Sequence, residues 1–246
     1  MLNKLFEDVY LEVRMAEGRL YDDSVVSRLP EIGKTHPLAA EWSIRQRSLK
    51  RFMKYLHARN PGRILEIGCG NGWMSRHFAD ALPRTRVVAV DANEMEIEQA
   101  RRLFFRPNLQ FERRRFIPED LGEKFDLIVL ASSLQYFRDG ASLIRRLFEC
   151  LLPDGEIHVM DTPFYRWEDI DRAKKRTVDY FTNLGFPEMI PYYHHHGWHE
   201  LEGFFYEKLF DPDTLSGWLN KIRFSHRGFP WIRFSLSANR TDELRQ

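Results

Sequence analysis

From Arg63 onward, short apolar runs alternate with stretches in which apolar side chains recur every three or four residues. Arg63 to Cys69 (RILEIGC) is a brief apolar run ending at glycines, which suits a buried parallel strand. Asn71 to Leu82 places Trp73, Met74, Phe78 and Leu82 at helical spacing. Arg86 to Ala92 (RVVAVDA) reads as the next strand. Asn93 caps the following helix, with Glu96 as capping-box partner and Ile97, Ala100 and Phe104 as its apolar stripe. Leu109 to Arg115 is a weaker strand and Phe125 to Ser133 (FDLIVLASS) a strong one. Ser142 to Leu151 is helical, and Leu152-Pro153-Asp154-Gly155 turns into a strand over Glu156 to Thr162. Strand and helix in strict alternation predict an open α/β sheet.

The flanks are less regular. Residues 1–60 read as helices around a polar loop, Glu17 to His36. Beyond residue 163, Trp167, Ile170, Val178, Phe181 and Leu184 outline a long helix stopped by Gly185. Phe204 to Phe210 and Trp231 to Leu236 read as two closing strands with a helix near Thr214 to Leu219 between them. The division expected is an N-terminal helical segment, 1–60, and a main domain, 61–246, carrying an insertion at about 163–203.

At 246 residues and 43% hydrophobic composition, the chain has material for a sizeable core. A formal net charge of +1 gives no overall pull towards nucleic acid or an anionic membrane. Two cysteines, Cys69 and Cys150, make no disulfide framework, and the N-terminus carries acids where a signal peptide needs an apolar run. No apolar stretch is long enough to span a bilayer. A cytoplasmic protein is expected.

The first strand runs into Glu66-Ile67-Gly68-Cys69-Gly70-Asn71-Gly72. Such a loop turns tightly, admits a ligand to the main chain and lies at the carboxyl edge of the sheet, beside free N–H groups of a helix. The dinucleotide fingerprint G-x-G-x-x-G is not met, because Trp73 stands at the sixth position. Asp91 ends the second strand, where a carboxylate accepts hydrogen bonds from both hydroxyls of a ribose.

Taken together, LEIGCGNG, Asp91, FDLIVLASSLQYF and LLPDGEIHV resemble the class I S-adenosylmethionine-dependent methyltransferases over roughly residues 61 to 162. The resemblance implies a Rossmann-like sheet of seven strands, mostly parallel, closed by a C-terminal antiparallel hairpin. It adds an N-terminal helical lid and an insertion after the fifth strand. It also implies S-adenosyl-L-methionine as cofactor. Glu66, Gly68, Gly70 and Gly72 would surround its methionine part, Asp91 would hold the ribose with Ala92 beside the adenine, and Ala131 and Ser132 would meet the amino group and sulfonium end. One position departs from the pattern. Where relatives place an acid for the adenine amino group, this chain has Phe111-Glu112-Arg113-Arg114-Arg115-Phe116. The arginines there read as a solvated strand end, and the adenine would rest against Phe116 or donate to a backbone group.

Several subclasses are disfavoured. The stretch after the fourth strand, Ala131-Ser132-Ser133-Leu134-Gln135-Tyr136, has no Asn/Asp-Pro-Pro-aromatic motif of the kind that serves amide and amino nitrogens. The acids of a magnesium-dependent catechol enzyme are not in register either, since those places read Ala131 and Asp161-Thr162. In Tyr192 to Glu200 (YYHHHGWHE), four of the nine histidines sit among aromatics. A zinc site is not matched: H-E-x-x-H is absent and Gly197 breaks the helix it needs. The segment is either an aromatic packing loop or the acceptor site, with His195 or His196 as general base. Upstream, Arg45 or Arg47 would pair with the cofactor carboxylate. The expected partner is a small-molecule acceptor methylated at oxygen. RNA or protein methylation, and a non-catalytic cofactor-binding domain, are the rival readings.

Overall fold

A computed structural model describes residues 2–115, 122–214 and 228–235, with side chains from residue 6 onward. Seven strands form one sheet in the order β3-β2-β1-β4-β5-β9-β8. They are β1 (Arg63–Ile67), β2 (Arg86–Asp91), β3 (Leu109–Arg113), β4 (Phe125–Ala131), β5 (Leu151–Met160), β8 (Tyr206–Phe210) and β9 (Trp231–Ser235). The first five run parallel, and β9 lies antiparallel between β5 and β8. The C-terminal hairpin of the sequence reading is therefore present. The helix expected near Thr214 to Leu219 lies outside the described residues from 215 on.

Both faces of the parallel strands are buried, so alternate residues of one strand serve two cores. Ile64, Val87 and Leu127 face one core, with Phe52 and Leu56 of α3 (Ala39–Arg59), Phe78 of α4 (Trp73–Ala81) and Ile97 of α5 (Glu94–Leu103). Leu65, Val88 and Ile128 face the other, with Leu143, Ile144 and Leu147 of α6 (Gly140–Phe148). The expected turn at 152–155 appears as an interruption within β5. Leu151 pairs with Phe125, and Glu156 is the next paired residue, opposite Leu127.

The start of α5 differs from a full capping box. Asn93 Oδ1 accepts the Glu96 N–H at 3.2 Å, but the Asn93 N–H donates to Asp91 Oδ1 at 2.8 Å. Asp91 has taken the place expected for the Glu96 carboxylate, which points instead towards the glycine loop.

A third cluster joins parts distant in sequence. Val9 and Val13 of α1 (Leu2–Ala16) pack with Phe181 of α7 (Ile170–Leu184) and Met189 in the 3-10 turn Pro187–Tyr192. The short α2 (Asp23–Val26) follows α1. The N-terminal helix and the post-β5 insertion thus form one roof at the carboxyl edge of the sheet. Beneath it, β6 (Phe164–Tyr165) and β7 (His196–Gly197) make a small parallel pair. Among the described residues, no helix is long and apolar enough to cross a membrane.

Candidate active site

The loop after β1 owes its shape to two crossing constraints. The N–H groups of Gly68 and Cys69 both donate to the Val90 carbonyl, at 2.8 and 3.1 Å. Asp91 Oδ2 accepts the Gly70 N–H at 2.8 Å. Gly68, Gly70 and Gly72 have φ of 74°, 53° and 74°, in the left-handed region that glycine enters at little cost. Their surroundings separate them. Gly68 and Gly70 line cavities, whereas a Cβ on Gly72 would stand 2.4 Å from the Phe111 ring. Gly72 is therefore the packing contact of helix on sheet and does not line the cavities, contrary to the expectation that it surrounds the methionine part. The ring of Trp73, at the position where the dinucleotide fingerprint has its third glycine, meets Trp42 of α3 edge-on at 5.3 Å.

On the β2 side of the loop is a cavity of about 230 Å³. Asp91, Ala92, Asn93 and Tyr136 line it, with Arg114 and Arg115 from beyond β3 and Phe6, Glu7 and Tyr10 from α1. Burial pushes the Asp91 carboxyl above its ordinary value, while the N–H groups of Asn93, Gly70 and Ala92 pull it down. The arginine run is not simply solvated. Arg113 and Arg115 are both exposed, but each is paired: Arg113 with Glu94 at 2.7 Å and Glu7 at 3.5 Å, and Arg115 through Nε, which donates to Glu7 at 3.2 Å. Phe116 lies outside the described residues. Sequence reading missed Glu7, since nothing local connects a helix at residue 7 with a strand at residue 113.

A second cavity of about 110 Å³ lies on the β1 side, lined by Glu66, Gly68, Gly70, Glu96, Ala131, Ser132 and Arg45 among others. Glu66 accepts from the Ser75 hydroxyl, and burial lifts its carboxyl to about 8 against that bond. Glu96 is likewise lifted to about 8 by burial and the neighbouring Asp91. Its Oε2 is buried with no partner among the described residues. Arg45 donates to Glu41 from Nε and Nη2 at 3.1 and 3.0 Å, and Arg19 grips the same carboxylate with two bonds of 2.6 Å. Burial opposes the charge on Glu41, yet these arginines hold it down at about 2.

A third and larger cavity, about 600 Å³, lies beneath the roof. Tyr136, Tyr165, Phe181, Tyr193 and Phe229 give it aromatic walls, and Arg14, Arg45, Arg176 and Asp161 add charge. Tyr10 and Ser132 line all three cavities, which therefore meet at the end of β4. There the backbone is strained. Ser132 and Asp161 have φ of 55° and 52°, a region costing a non-glycine residue roughly 1–2 kcal/mol. Ser132 Oγ donates to the Asp161 carbonyl at 3.0 Å, tying the two together.

The histidines stand behind this cavity rather than in its wall. His196 is 2% exposed, and its ring nitrogens face Glu200 Oε2 at 3.0 Å and the Leu134 carbonyl at 3.1 Å. Both nitrogens are turned to these protein oxygens and the residue does not line the large cavity, which corrects the expectation of His196 as a base. His195 Nε2 pairs with Thr177 Oγ1 at 2.8 Å, and its ring stands 5.6 Å from Tyr165 and 5.4 Å from Tyr193. All three of those neighbours line the cavity, but His195 itself does not. Burial and the nearby Lys174 and Arg176 push it down to about 4. The His194 N–H donates to the Gln135 carbonyl at 2.8 Å. Among the described residues no cluster of three or more His, Cys, Asp or Glu is placed to hold a metal ion.

The parallel sheet, glycine loop, ribose-type acid and adjoining cavities define the fold class of nucleoside-cofactor methyltransferases. Residues 42–224 match the family described as "Methyltransferase domain", and the chain belongs to that family, the class I S-adenosylmethionine-dependent methyltransferases. Among curated relatives, the malonyl-[acyl-carrier protein] O-methyltransferase of Acetivibrio thermocellus is 32% identical over 37% of this chain and 32% of its own. The ubiquinone biosynthesis O-methyltransferase of Pseudomonas putida is 28% identical over 52% of this chain and 60% of its own. The chain thus spans about a third to three fifths of the length of these relatives. Among solved structures, magnesium protoporphyrin IX methyltransferase of Synechocystis with bound SAH superposes with a TM-score of 0.56 at 15% identity, over 93% of this chain and 92% of that one. The plantazolicin methyltransferase BpumL gives 0.51 at 17% identity, over 94% and 97%. At such identities the likeness is one of fold.

The residues present fit the family's cofactor. Gly68 and Gly70 line the cavities, Asp91 keeps acceptor capacity beyond its bonds to backbone N–H groups, and Glu96 Oε2 is unpartnered beside Gly70 among the described residues.

Proposed function

We propose that this protein binds S-adenosylmethionine in the two smaller cavities and methylates an oxygen of a small-molecule acceptor held in the large one. The observation that carries this reading is the meeting of all three cavities at Ser132 and Tyr10. When bound, the cofactor supplies an electrophilic methyl on a sulfonium, so the protein has to hold, align and dehydrate the reactants.

Asp91 receives the ribose hydroxyls, and Ala92, Glu7 and Arg115 border the adenine. Gly68 and Gly70 let the amino-acid part approach the main chain. Glu66 and Glu96 face its ammonium, and Arg45, a neighbour of Glu41, meets its carboxylate. Ala131 and Ser132 lie at the sulfonium end. The roof of α1 and α7 keeps water from the junction, and Tyr165, Phe181, Tyr193 and Phe229 embrace the acceptor. His195 acts from behind, fixing Thr177, Tyr165 and Tyr193. Relatives named as O-methyltransferases support an oxygen acceptor, and the aromatic walls of the large cavity support one of small size.

The test is calorimetry with S-adenosylhomocysteine followed by labelled-methyl transfer to small acceptors. Stoichiometric binding and acid-soluble labelled product are expected. Failure to bind would remove the cofactor assignment, and label appearing only in protein or RNA would remove the small acceptor.

A further inference from the structure

We propose that Asp161 is the general base of the reaction, taking the proton from a phenolic hydroxyl acceptor in the large cavity. This rests on the functional reading above and specifies the chemical class of its acceptor.

Asp161 follows β5 directly and is 5% exposed, yet it lines the large cavity. Its Oδ1 accepts the Ser48 hydroxyl of α3 at 2.6 Å, which fixes the carboxylate. Its Oδ2 is buried and has no partner among the described residues. A buried acceptor oxygen without a partner, on a residue that lines a cavity, calls for a donor, and a molecule filling that cavity can bring one. A hydroxyl is such a donor. An ionised carboxylic acid is not, and it would meet Asp161 as a like charge. The placement is specific as well. Asp161 is held at positive φ and tied through its carbonyl to Ser132, which lines all three cavities where they meet. Strained backbone of this kind is characteristic of sites where a side chain must be held in one direction.

The balance of the step is simple. The acceptor O–H proton passes to Asp161 Oδ2, the oxygen lone pair forms the new O–CH₃ bond, and the S–CH₃ bonding pair remains on sulfur as the neutral thioether. Burial raises the Asp161 carboxyl above its ordinary value, against the charge of Arg45, the Ser48 bond and Arg51, which makes it a better proton acceptor near neutrality. The charged groups near it are Glu41, Arg45 and Arg51 of α3 and, around the cavity, Arg14 of α1, Glu17, Arg19 and Arg176 of α7, with the hydroxyls of Tyr10, Tyr136, Tyr165, Tyr180 and Tyr193. The histidines do not compete, because both nitrogens of His196 are turned to protein oxygens and His195 lies behind the wall.

The experiment compares wild type with Asp161→Asn on three probes: phenol, 4-nitrophenol at a pH where it is already ionised, and benzoate. Phenol methylation should fall about 10²–10⁴-fold in the variant. Methylation of ionised 4-nitrophenol, and affinity for S-adenosylhomocysteine, should hardly change. A readout without turnover is the absorbance of 4-nitrophenol bound to the S-adenosylhomocysteine complex. Wild type should keep it in the phenol form to higher pH than free solution does, and Asp161→Asn should abolish that displacement. Should Asp161→Asn fail to fold, Ser48→Ala keeps the carboxylate and should shift the pH profile for phenol while sparing ionised 4-nitrophenol. Equal losses on both phenols would make Asp161 structural and overturn the proposal. Transfer to benzoate alone would overturn it while leaving the functional reading intact. No transfer to either phenol while S-adenosylhomocysteine still binds would overturn the proposal, whereas loss of that binding would overturn the functional reading.

Discussion

Asp91 accepts the Gly70 N–H on one carboxylate oxygen and the Asn93 N–H on the other, each at 2.8 Å. The acid assigned to the ribose is thus also the brace between the glycine loop after β1 and the cap of α5. Each oxygen keeps a further lone pair, so bracing and ligand binding do not exclude each other.

Replacing Asp91 by Ala removes a charged acceptor from both. Affinity for S-adenosylhomocysteine should drop by about 1.5–3 kcal/mol, the worth of a charged hydrogen bond. Calorimetry on a variant shown to be folded by circular dichroism checks this, and unchanged affinity would take Asp91 out of the site.

Two glycines of the loop should behave differently. Gly72→Ala brings a methyl to 2.4 Å from the Phe111 ring at φ of 74°, so overpacking and backbone strain together should cost about 2–5 kcal/mol of stability. At Gly70 the nearest atom to a new Cβ is Glu96 Oε2, at 3.0 Å. Gly70→Ala should therefore lose less stability and more cofactor affinity. Thermal melts beside calorimetry separate the two, and the reverse ranking would refute this division.

Glu66 should make the ligand-free protein less stable as pH rises. Burial lifts its folded value from 4.5 to about 8, so the folded state binds the extra proton between those limits. Its contribution is fully present below about pH 4.5 and is lost as pH rises through about 8. Glu66→Gln should flatten the decline in melting temperature over that window. Parallel curves for variant and wild type would contradict it.

Glu7 is expected to substitute, from the N-terminal helix, for the acid that the strand β3 lacks. Glu7→Ala should bring the affinities for S-adenosylhomocysteine and its inosyl analogue closer together, because the analogue lacks the amino group to be read. An undiminished preference would show that another group reads the adenine.

His196→Ala should cost stability, about 1–3 kcal/mol, because Glu200 and the Leu134 carbonyl lose their shared partner. Cofactor affinity should stay as it was. His195→Ala should lower turnover through displaced Tyr165 and Tyr193, without altering the shape of the pH–rate profile. A profile that loses one of its ionisations in the His195 variant would restore that residue as an acid or base.

The sequence by itself determined the alternating strands and helices, the glycine loop and Asp91, and by resemblance a seven-stranded sheet with a C-terminal hairpin. These are encoded locally: an apolar run buried on both faces, a turn that needs positive φ, an acid at a strand end. It determined too that the histidine segment holds no recognisable zinc pattern. Only the tertiary structure decided which of these residues share a cavity. Gly68 and Gly72 are four apart in one loop, yet one faces the ligand side and the other a phenylalanine. Glu7 meets Arg115 because α1 folds back across the sheet edge, and packing of Val9 and Val13 against Phe181 and Met189 directs it there. His195 and His196 looked equivalent as neighbours in an irregular loop, but pairing of β7 with β6 turned His196 into the interior. Asp161 was visible as the residue after an apolar run and carried no local mark of the role proposed for it. Its setting depends on Ser48, 113 positions away, and on walls contributed by α1, α3 and α7. Periodicity records which side of an element is buried, whereas the partner across a cavity is set by how separate elements pack.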